Sequence, residues 1–523
     1  HAAAYQVEVL DGATFQVGTW AGAITSTDAE ITLRAGGRLA LYNGNATHGS
    51  TVVAKIVVDS TAEKPAIIAG GAYGDNAKIT GTISGKGVLQ LDALTGNTFM
   101  IEGVIADAST TETLKVLVTT ANGVTLSGTN TYTGGTEIAA GSILRVGSMA
   151  NLGASGDVVV MAGGTLNVHT AANTQDHGDA WNRVKGNGTI SYTAAGATWH
   201  TLPTLATAFA TTLTVDNNLS EGIILPEPAA NYVIGSVSGS GSFRWDYSTV
   251  SGDSRPKTLT ILQSKNTTYT GKLAYSADAR LTKFILQGSG DSKTLTLTGT
   301  ETAAKPMDIS ASGALNLSGS WAGAMTVSGS LGGSGTVGGA LTYNNNATID
   351  MTSGAALTAN GTVVVPADAV TVVLGEVVAS DLQLIKATSI TTDMPMATVK
   401  IGDEVITTVQ LEKRSDGLYL PMKQIFTRTF DGTATTWEAT DAWGIKDSTA
   451  DIPLSGATIE LTMGGKDTVV SHDEKIHVGA VDFVDEGHLI LEFDLSAMMD
   501  DDDYLASPYT VQLLEIDEGV DAE

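Results

Sequence analysis

The densest group of side chains that could do chemistry lies between residues 169 and 200. It contains three histidines, two aspartates and two tryptophans: His169, Asp176, His177, Asp179, Trp181, Trp199 and His200. Imidazole and carboxylate groups ligate metals, and indole rings can stack on a sugar ring. None of the spacings matches a metal signature such as HExxH. We therefore predict no metal site and no catalytic role, and interpret the segment as a loop that binds a ligand. The alternative is a plain loop between two coils.

A second group of histidines and carboxylates lies near the C-terminus. It comprises His472, Asp473, Glu474, His477, Asp482, Asp485 and His488, and it is followed by the run Asp500 to Asp503. The alternating strand positions of this region favour a solvated face for the first seven. Carboxylates suit calcium, but the spacing of a calcium-binding loop is missing. We expect an acidic loop and no cofactor.

Some serines and carboxylates have the arrangement of enzyme signatures. Gly252-Asp-Ser254 and Gly290-Asp-Ser292 have the form of a serine nucleophile, but such tripeptides are common by chance in a chain rich in Gly and Ser. Asp246, Asp253 and Arg255, beside Arg244, are the nearest match to the clustered residues of a carbohydrate-active enzyme. We expect no enzymatic activity and keep a polysaccharide lyase or glycoside hydrolase as the alternative.

Composition limits the class of partner. The net charge of −28 over 523 residues would repel phosphate backbones, so we expect no nucleic acid partner. No stretch approaches the roughly 18 apolar residues of a membrane helix, so we expect no direct membrane insertion of this chain. The absence of cysteine fits secretion and a cytosolic location equally well.

A repeated glycine motif indicates the fold. The pattern apolar-x-Gly-x-Gly-x-apolar begins at Ile83, Val184, Val237 and Leu331. Each copy predicts a short strand, a turn that glycine permits and another short strand. A nucleotide-binding loop would need a helix after the motif, and no helical pattern follows any copy. The only hint of a helix is Leu202 to Ala210, where alanine is dense.

Short segments of period two fill the intervals between these motifs, as in Thr294-Leu-Thr-Leu-Thr298. Strands this short, returning at intervals of roughly 8–12 residues, favour stacked coils over a sandwich. The predicted fold is all-β: a right-handed parallel β-helix, or solenoid, with roughly 20–25 residues in each coil. The predicted inward residues include Ile83, Leu89, Leu126, Leu144, Val146, Val237, Leu315, Leu317 and Val327.

One segment carries a family resemblance. Leu126 to Val146, with Asn130-Thr-Tyr-Thr-Gly-Gly-Thr136 at its centre, resembles the autotransporter-associated β-strand repeat of bacterial passenger proteins. A degenerate copy spans Leu259 to Gly271, with one inserted residue and no second glycine. In the first copy Asn130 and Gly134-Gly135 are predicted turn formers, Tyr132 a cover for the edge of a coil, and Ile138 an inward residue.

The resemblance extends to the domain organisation. Residues from about 370 to 420 resemble the segment that closes the β-helix of such passengers, as unpaired strand edges require. Phe430 to Trp437, with Trp443, resembles the opening of another module. We predict a β-helix domain over 1–423 with a terminal cap, and a smaller β module over 424–523.

The resemblance also implies a function. Such passengers are exported across the outer membrane of Gram-negative bacteria to the cell exterior. We therefore expect a surface-exposed or secreted structural and adhesive protein whose loops bind a host glycan, mucus component or surface protein. The oligomeric state stays open.

Overall fold

The structure is a computed structural model. It describes residues 5–18, 23–42, 50–70, 77–93, 99–171, 179–194, 196–202, 208–225, 231–245, 257–274, 280–290, 293–367, 370–375, 381–392 and 395–421, and the backbone of the later strands given below. The chain divides into two units, His1–Pro306 and Met307–Glu523. The predicted boundary at 423/424 stays a prediction.

Unit 1 contains short strands that are nearly all stacked in parallel. They are β1 (Gln6–Val9), β2 (Thr14–Val17), β3 (Ala23–Ile24), β4 (Glu30–Arg34), β5 (Arg38–Leu41), β6 (Thr51–Val52), β7 (Lys55–Asp59), β8 (Ala66–Gly70), β9 (Ala77–Ile79), β10 (Ile83–Ala93), β11 (Phe99–Ile101), β12 (Ile105–Asp107), β13 (Leu114–Val118), β14 (Val124–Leu126), β15 (Thr136–Ile138), β16 (Ile143–Val146), β17 (Val158–Val160), β18 (Thr165–Thr170), β19 (Val184–Gly186), β20 (Thr189–Ala194), β21 (Trp199–Thr201), β22 (Ala208–Asn217), β23 (Gly222–Leu225), β24 (Asn231–Gly239), β25 (Phe243–Trp245), β26 (Lys257–Gln263), β27 (Thr267–Tyr269), β28 (Leu281–Gly288), β29 (Thr294–Leu297) and β30 (Thr300–Glu301).

Unit 2 begins in the same way and ends differently. Its strands are β31 (Met307–Ile309), β32 (Ala314–Leu317), β33 (Ser320–Trp321), β34 (Met325–Val327), β35 (Ser330–Gly332), β36 (Thr336–Val337), β37 (Leu341–Tyr343), β38 (Thr348–Met351), β39 (Leu357–Ala359), β40 (Val363–Val364), β41 (Val370–Leu374), β42 (Leu382–Ala387), β43 (Ile390–Thr391), β44 (Met396–Ile401), β45 (Glu404–Gln410), β46 (Glu412–Arg414), β47 (Gly417–Leu420), β48 (Thr427–Asp431), β49 (Glu438–Ala439), β50 (Ile459–Gly464), β51 (Lys475–Val478), β52 (Asp482–Val484) and β53 (His488–Ile490).

The coils confirm the predicted fold class. Before the cap, the strands pair in parallel with strands of the next coil, and the coils form a β-solenoid of about 14 turns. In unit 1, Val124 pairs with Leu144 and Leu144 pairs with Leu166, so a coil there takes 20 to 22 residues. In unit 2, Met307 pairs with Met325 and Met325 with Leu341, so a coil takes 18 or 16 residues.

The core consists of the apolar rows that alternation predicts. All nine predicted inward residues from Ile83 to Val327 are at most 2% exposed, and Ile138 is also buried. Successive strands keep one side chain in two facing the interior, and parallel register stacks each of these on its counterpart in the next coil. The inward face is therefore confirmed.

The glycine motif forms corners of the coils, with two different physical roles. In the copies that begin at Val184, Val237 and Leu331, the first glycine (Gly186, Gly239 and Gly333) has a positive φ of 103° to 114°. A Cβ on the second glycine of the Val184 copy, Gly188, would lie 2.4 Å from a carbonyl oxygen of the preceding coil. The first glycine of the motif is thus required for its backbone conformation, and Gly188 for the close approach of a neighbouring backbone.

The Ile83 copy corrects the expectation of two separate strands. Residues 83–93 form the single strand β10, which pairs with β7 through its first half and with β8 through its second. Gly87, with φ +85°, is the bend between the two halves. As predicted, no α-helix follows this motif, and the described residues contain only two short 3-10 helices, Met149–Leu152 and Asp179–Arg183.

In unit 2 the parallel stacking gives way to antiparallel pairing within the predicted cap. Strand β45 pairs antiparallel with β44, and β47 pairs antiparallel with both β42 and β46. Lys413 donates to the carbonyl of Ile390, and Arg414 bonds Asp381 just before β42. These strands and contacts cover edges of the parallel strands.

Candidate binding surface

A small sheet in unit 1 carries Trp199 and His200 of the predicted ligand-binding segment. Strands β21, β23 and β25 pair in parallel, with Trp199 beside Gly222 and Ile224 beside Arg244. Alternation turns His200, Ile223 and Phe243 inward, where all three are buried. Trp199 and Arg244 therefore fall on the other face of this sheet, where both are half-buried beside the buried Thr201 and Ile224.

Three side chains meet on that face. The Arg244 guanidinium carbon lies 5.9 Å from the centroid of the Trp199 ring. Its Nη2 lies 3.5 Å from Oε2 of Glu221, whose side chain is 44% exposed. Gly222, the neighbour of Trp199 in the sheet, has no side chain to cover the ring. A half-buried aromatic ring thus lies beside a guanidinium whose side chain is 16% exposed and a more exposed carboxylate.

The other aromatic residues of the segment form a core cluster beneath. Trp181, in the second 3-10 helix, is 0% exposed, and His200 is 2% exposed. Their ring centroids lie 5.6 Å apart in an edge-on arrangement, and Tyr192 lies 5.0 Å from His200. Trp181 therefore has no open face on which a sugar could stack, and Trp199, which is half-buried, is the more accessible of the two tryptophans.

The remaining residues of the predicted site are distributed differently. His169 is exposed on β18, and its Nδ1 lies 3.0 Å from Oγ1 of Thr193 in the next coil. Asp179 begins the second 3-10 helix, where only its backbone is described. Asp176 and His177 lie outside the described residues. Ligand binding by this segment stays a prediction.

Arg183 is a structural residue of the segment that the sequence patterns did not single out. Its Nη1 donates to the carbonyls of Ser155 and Gly156, and its Nη2 to those of Leu152 and Gly153. Partial burial lowers the pKa of this guanidinium from its ordinary value. The side chain fixes the helix of Trp181 to a loop of the preceding coil, and no local pattern in the sequence marks that contact.

The other candidate chemistry falls mostly outside the described residues. This is true of Asp246, Gly252-Asp-Ser254, Arg255, Asp291-Ser292, His472, Asp473, Glu474, Asp485 and Asp500 to Asp503, and of the side chains of His477, Asp482 and His488. Within the described ranges, no group of three or more His, Cys, Asp or Glu side chains is arranged to hold a metal ion.

Two further findings bear on identity. None of the helices in the described part of the chain is long and apolar enough to span a membrane. Comparisons with protein-family models, with curated proteins and with solved structures find no significant match.

Proposed function

We propose that this chain is a structural and adhesive β-solenoid of the autotransporter passenger kind, displayed on or secreted from a bacterial cell, that binds a host glycan. The coils would act as a rigid scaffold. Trp199, with Arg244 and Glu221 beside it, would contact the sugar.

The resemblance to autotransporter passengers is supported by one observation: the sequence repeat has the length of one coil. Strand β14 pairs with β16, so the Leu126–Val146 repeat forms one complete coil. Its distinctive residues act between coils: Asn130 accepts from the backbone N–H of Ile105 at 2.8 Å and donates to the carbonyl of Asn151 at 2.6 Å. A sequence repeat that coincides with a structural repeat is expected of a solenoid family.

The chemistry around Trp199 supports a glycan as the ligand. An indole face offers a sugar ring an apolar platform, and the guanidinium and carboxylate offer donors and acceptors to hydroxyl groups. The chain carries a net charge of −28, which opposes a polyanionic ligand. A neutral glycan therefore fits better than an acidic one.

A glycan array probed with the full chain tests the proposal. We expect binding to neutral glycans, and a loss of at least about tenfold for Trp199→Ala, the scale expected when a stacking aromatic is removed. Tyr419→Ala is the matched control, because Tyr419 also lies against an arginine, Arg414, at 4.3 Å, but in the cap. Binding that Trp199→Ala leaves unchanged, or no binding at all, would contradict the proposal.

Release of reducing sugar from a bound polysaccharide is measured in parallel. Turnover would favour the competing class, a carbohydrate-active enzyme on the same scaffold. We expect none.

A further inference from the structure

A row of short polar side chains follows the strands of unit 1 from β18 to β29. Register places one outward residue of each coil beside that of the next, and Thr268 follows Ser238 because Gly239 pairs with Tyr269. The row, called the polar row below, consists of Asn167, Ser191, Asp216, Ser238, Thr268 and Thr296. At about 4.8 Å between parallel strands it spans about 24 Å.

The polar row faces away from the core. Its neighbours along the strands, such as Val168, Val215 and Val237, are at most 1% exposed, and alternation turns the row to the opposite side. Thr268 is exposed, Ser191 is buried between its neighbours, and the other four residues are half-buried. The row is therefore a strip on an outer sheet face and not a pocket.

Its composition differs from that of other outer faces of unit 1. The row contains no lysine, no arginine and no apolar side chain. In the four coils before it, the same position holds Lys78, Met100, Thr125 and Arg145. On the sheet that contains β4 and β7, alternating charges face outward, and Arg34 bonds both Glu8 and Asp59. Solvated faces elsewhere in this unit thus use charged groups, whereas the row uses hydroxyl and amide groups.

One carboxylate orders the hydroxyl groups at the centre of the row. Asp216 accepts from Oγ of Ser191 at 2.7 Å and from Oγ of Ser238 at 2.9 Å. It also accepts from Nδ2 of Asn218, in the turn after its strand, at 2.8 Å. Because both serine protons point to the carboxylate, the serine oxygens keep lone pairs that can accept.

The threonines at the end of the row have uncommitted hydroxyl groups. Within the described part of the chain, neither Thr268 nor Thr296 has a side-chain hydrogen bond. Each of these hydroxyls can donate and accept. The row thus offers acceptors around Asp216 and groups of both kinds beyond it, repeated at the spacing of the strands.

We propose that the polar row binds an extended neutral polysaccharide that runs along the stacked coils. A sugar polymer presents hydroxyl groups at regular intervals, and each of them donates and accepts as the row does. Sites for small ligands are concave, so a single sugar would make few contacts on this strip. Contacts repeated along one polymer add up. The one carboxylate and the absence of a cation in the row disfavour an acidic polymer.

The polar row and the Trp199 site lie in different sheets, so neither requires the other. The proposal therefore goes beyond the Trp199 site. The short glycans of an array span little of the row and report on Trp199, whereas long polymers report on the row once Trp199 is removed.

Affinity electrophoresis of the full chain tests the proposal, in native gels that contain dextran, galactomannan or hydroxyethyl cellulose. The chain carries Trp199→Ala, and we expect at least one of the three polymers to retard it. Thr268→Val combined with Thr296→Val, added to this variant, removes two hydroxyls and keeps the branched shape. It should raise the dissociation constant at least about fivefold, as the loss of two hydrogen bonds implies. Thr268→Val alone, at the exposed position, should raise it at least about twofold.

Thr336→Val combined with Thr358→Val is the matched control, because these threonines are also half-buried register partners, on β36 and β39 of unit 2. It should leave the dissociation constant unchanged. A melting temperature within about 2 °C of the parent shows that a variant folds. The proposal is overturned if none of the three polymers retards Trp199→Ala, whether or not the parent binds an array. Retardation that Thr268→Val and the double variant leave unchanged overturns it as well.

Discussion

The two copies of the tyrosine repeat place the same side chain in the same environment by different means. Tyr132 and Tyr269 are both 0% exposed, and each lies six residues after the last residue of the preceding strand, Leu126 in β14 and Gln263 in β26. The strand and the tyrosine therefore keep their spacing. The position of the asparagine differs: Asn130 lies two residues before Tyr132, whereas Asn266 lies three residues before Tyr269.

That shift changes which asparagine connects the coils. Asn130 is buried and bridges two coils, but Asn266 is exposed and accepts from the backbone N–H of Thr294, at 2.9 Å. The buried amide beside Tyr269 comes instead from Asn217, which donates to the carbonyl of Ser242 at 2.9 Å. A buried amide therefore lies beside the tyrosine in both copies, although it comes from a different segment of the chain in each.

The tyrosine hydroxyls have different partners as well. That of Tyr132 lies 2.6 Å from Oγ1 of Thr136, within its own repeat. That of Tyr269 donates to the carbonyl of Gly241 at 2.9 Å, in another coil. Burial raises the pKa of both hydroxyls well above the ordinary range, so both stay protonated. Burial of the ring is therefore the common requirement of the two copies, and the polar partners of the hydroxyl are exchangeable.

Exchanging the inward residues of the two copies should give the largest effect. Leu126→Gln places an amide among apolar side chains and should cost about 3 kcal/mol. Gln263→Leu should change stability by less than about 1 kcal/mol, because it removes a buried polar group but also its bonds to Lys265 and Thr267. Local opening free energies from hydrogen exchange measure both. Equal changes in opening free energy for the two variants would contradict this prediction.

Removing the three asparagines in turn tests the exchange of amides. Asn130→Ala leaves the N–H of Ile105 and the carbonyl of Asn151 unpaired and should cost about 2–3 kcal/mol. Asn217→Ala should cost about 1–3 kcal/mol, for the same reason. Asn266→Ala, at an exposed site, should stay within about 0.5 kcal/mol. Thermal melts of the three variants rank them. A costly Asn266→Ala would show that the second copy uses its own asparagine.

The smallest expected effect is a pH dependence confined to the second copy. The coil after Tyr269 is bridged by a carboxylate, Glu301, which accepts from the N–H groups of Ala274 at 2.8 Å and Ala303 at 2.7 Å. Burial raises the pKa of Glu301, and the backbone hydrogen bonds offset the rise only in part. The folded state then binds the proton more tightly than the unfolded state does.

The contribution of Glu301 to stability is present below the ordinary range of a carboxyl group and is lost as the pH rises through its raised value. Between pH 4 and 7, hydrogen exchange near residues 274 and 301 should therefore become less protected relative to Glu301→Gln. Protection around Asn130, whose bridge is a neutral amide, should show no such difference. A greater protection at high pH would reverse the assignment of burial as the main cause.

Much of the scaffold follows from the sequence alone. The period-two alternation determined the buried rows, because a strand must present every second side chain to the core. The glycine motifs marked corners, and the repeat around Tyr132 marked a whole coil. These features depend on residues close together in sequence, where backbone geometry and apolar spacing are decisive.

The tertiary structure decided which of two similar residues does which task. Trp181 packs in the core, whereas Trp199 is half-buried, and Asn217 replaces Asn266 beside Tyr269. Arg183 holds a loop nearly thirty residues earlier, and Gly186 rather than Gly188 takes the positive φ. Each choice depends on contacts between coils, with partners twenty or more residues away. Local sequence patterns do not show which side chain of a neighbouring coil will lie opposite a given residue. The role of each residue is therefore determined only when the coils are stacked.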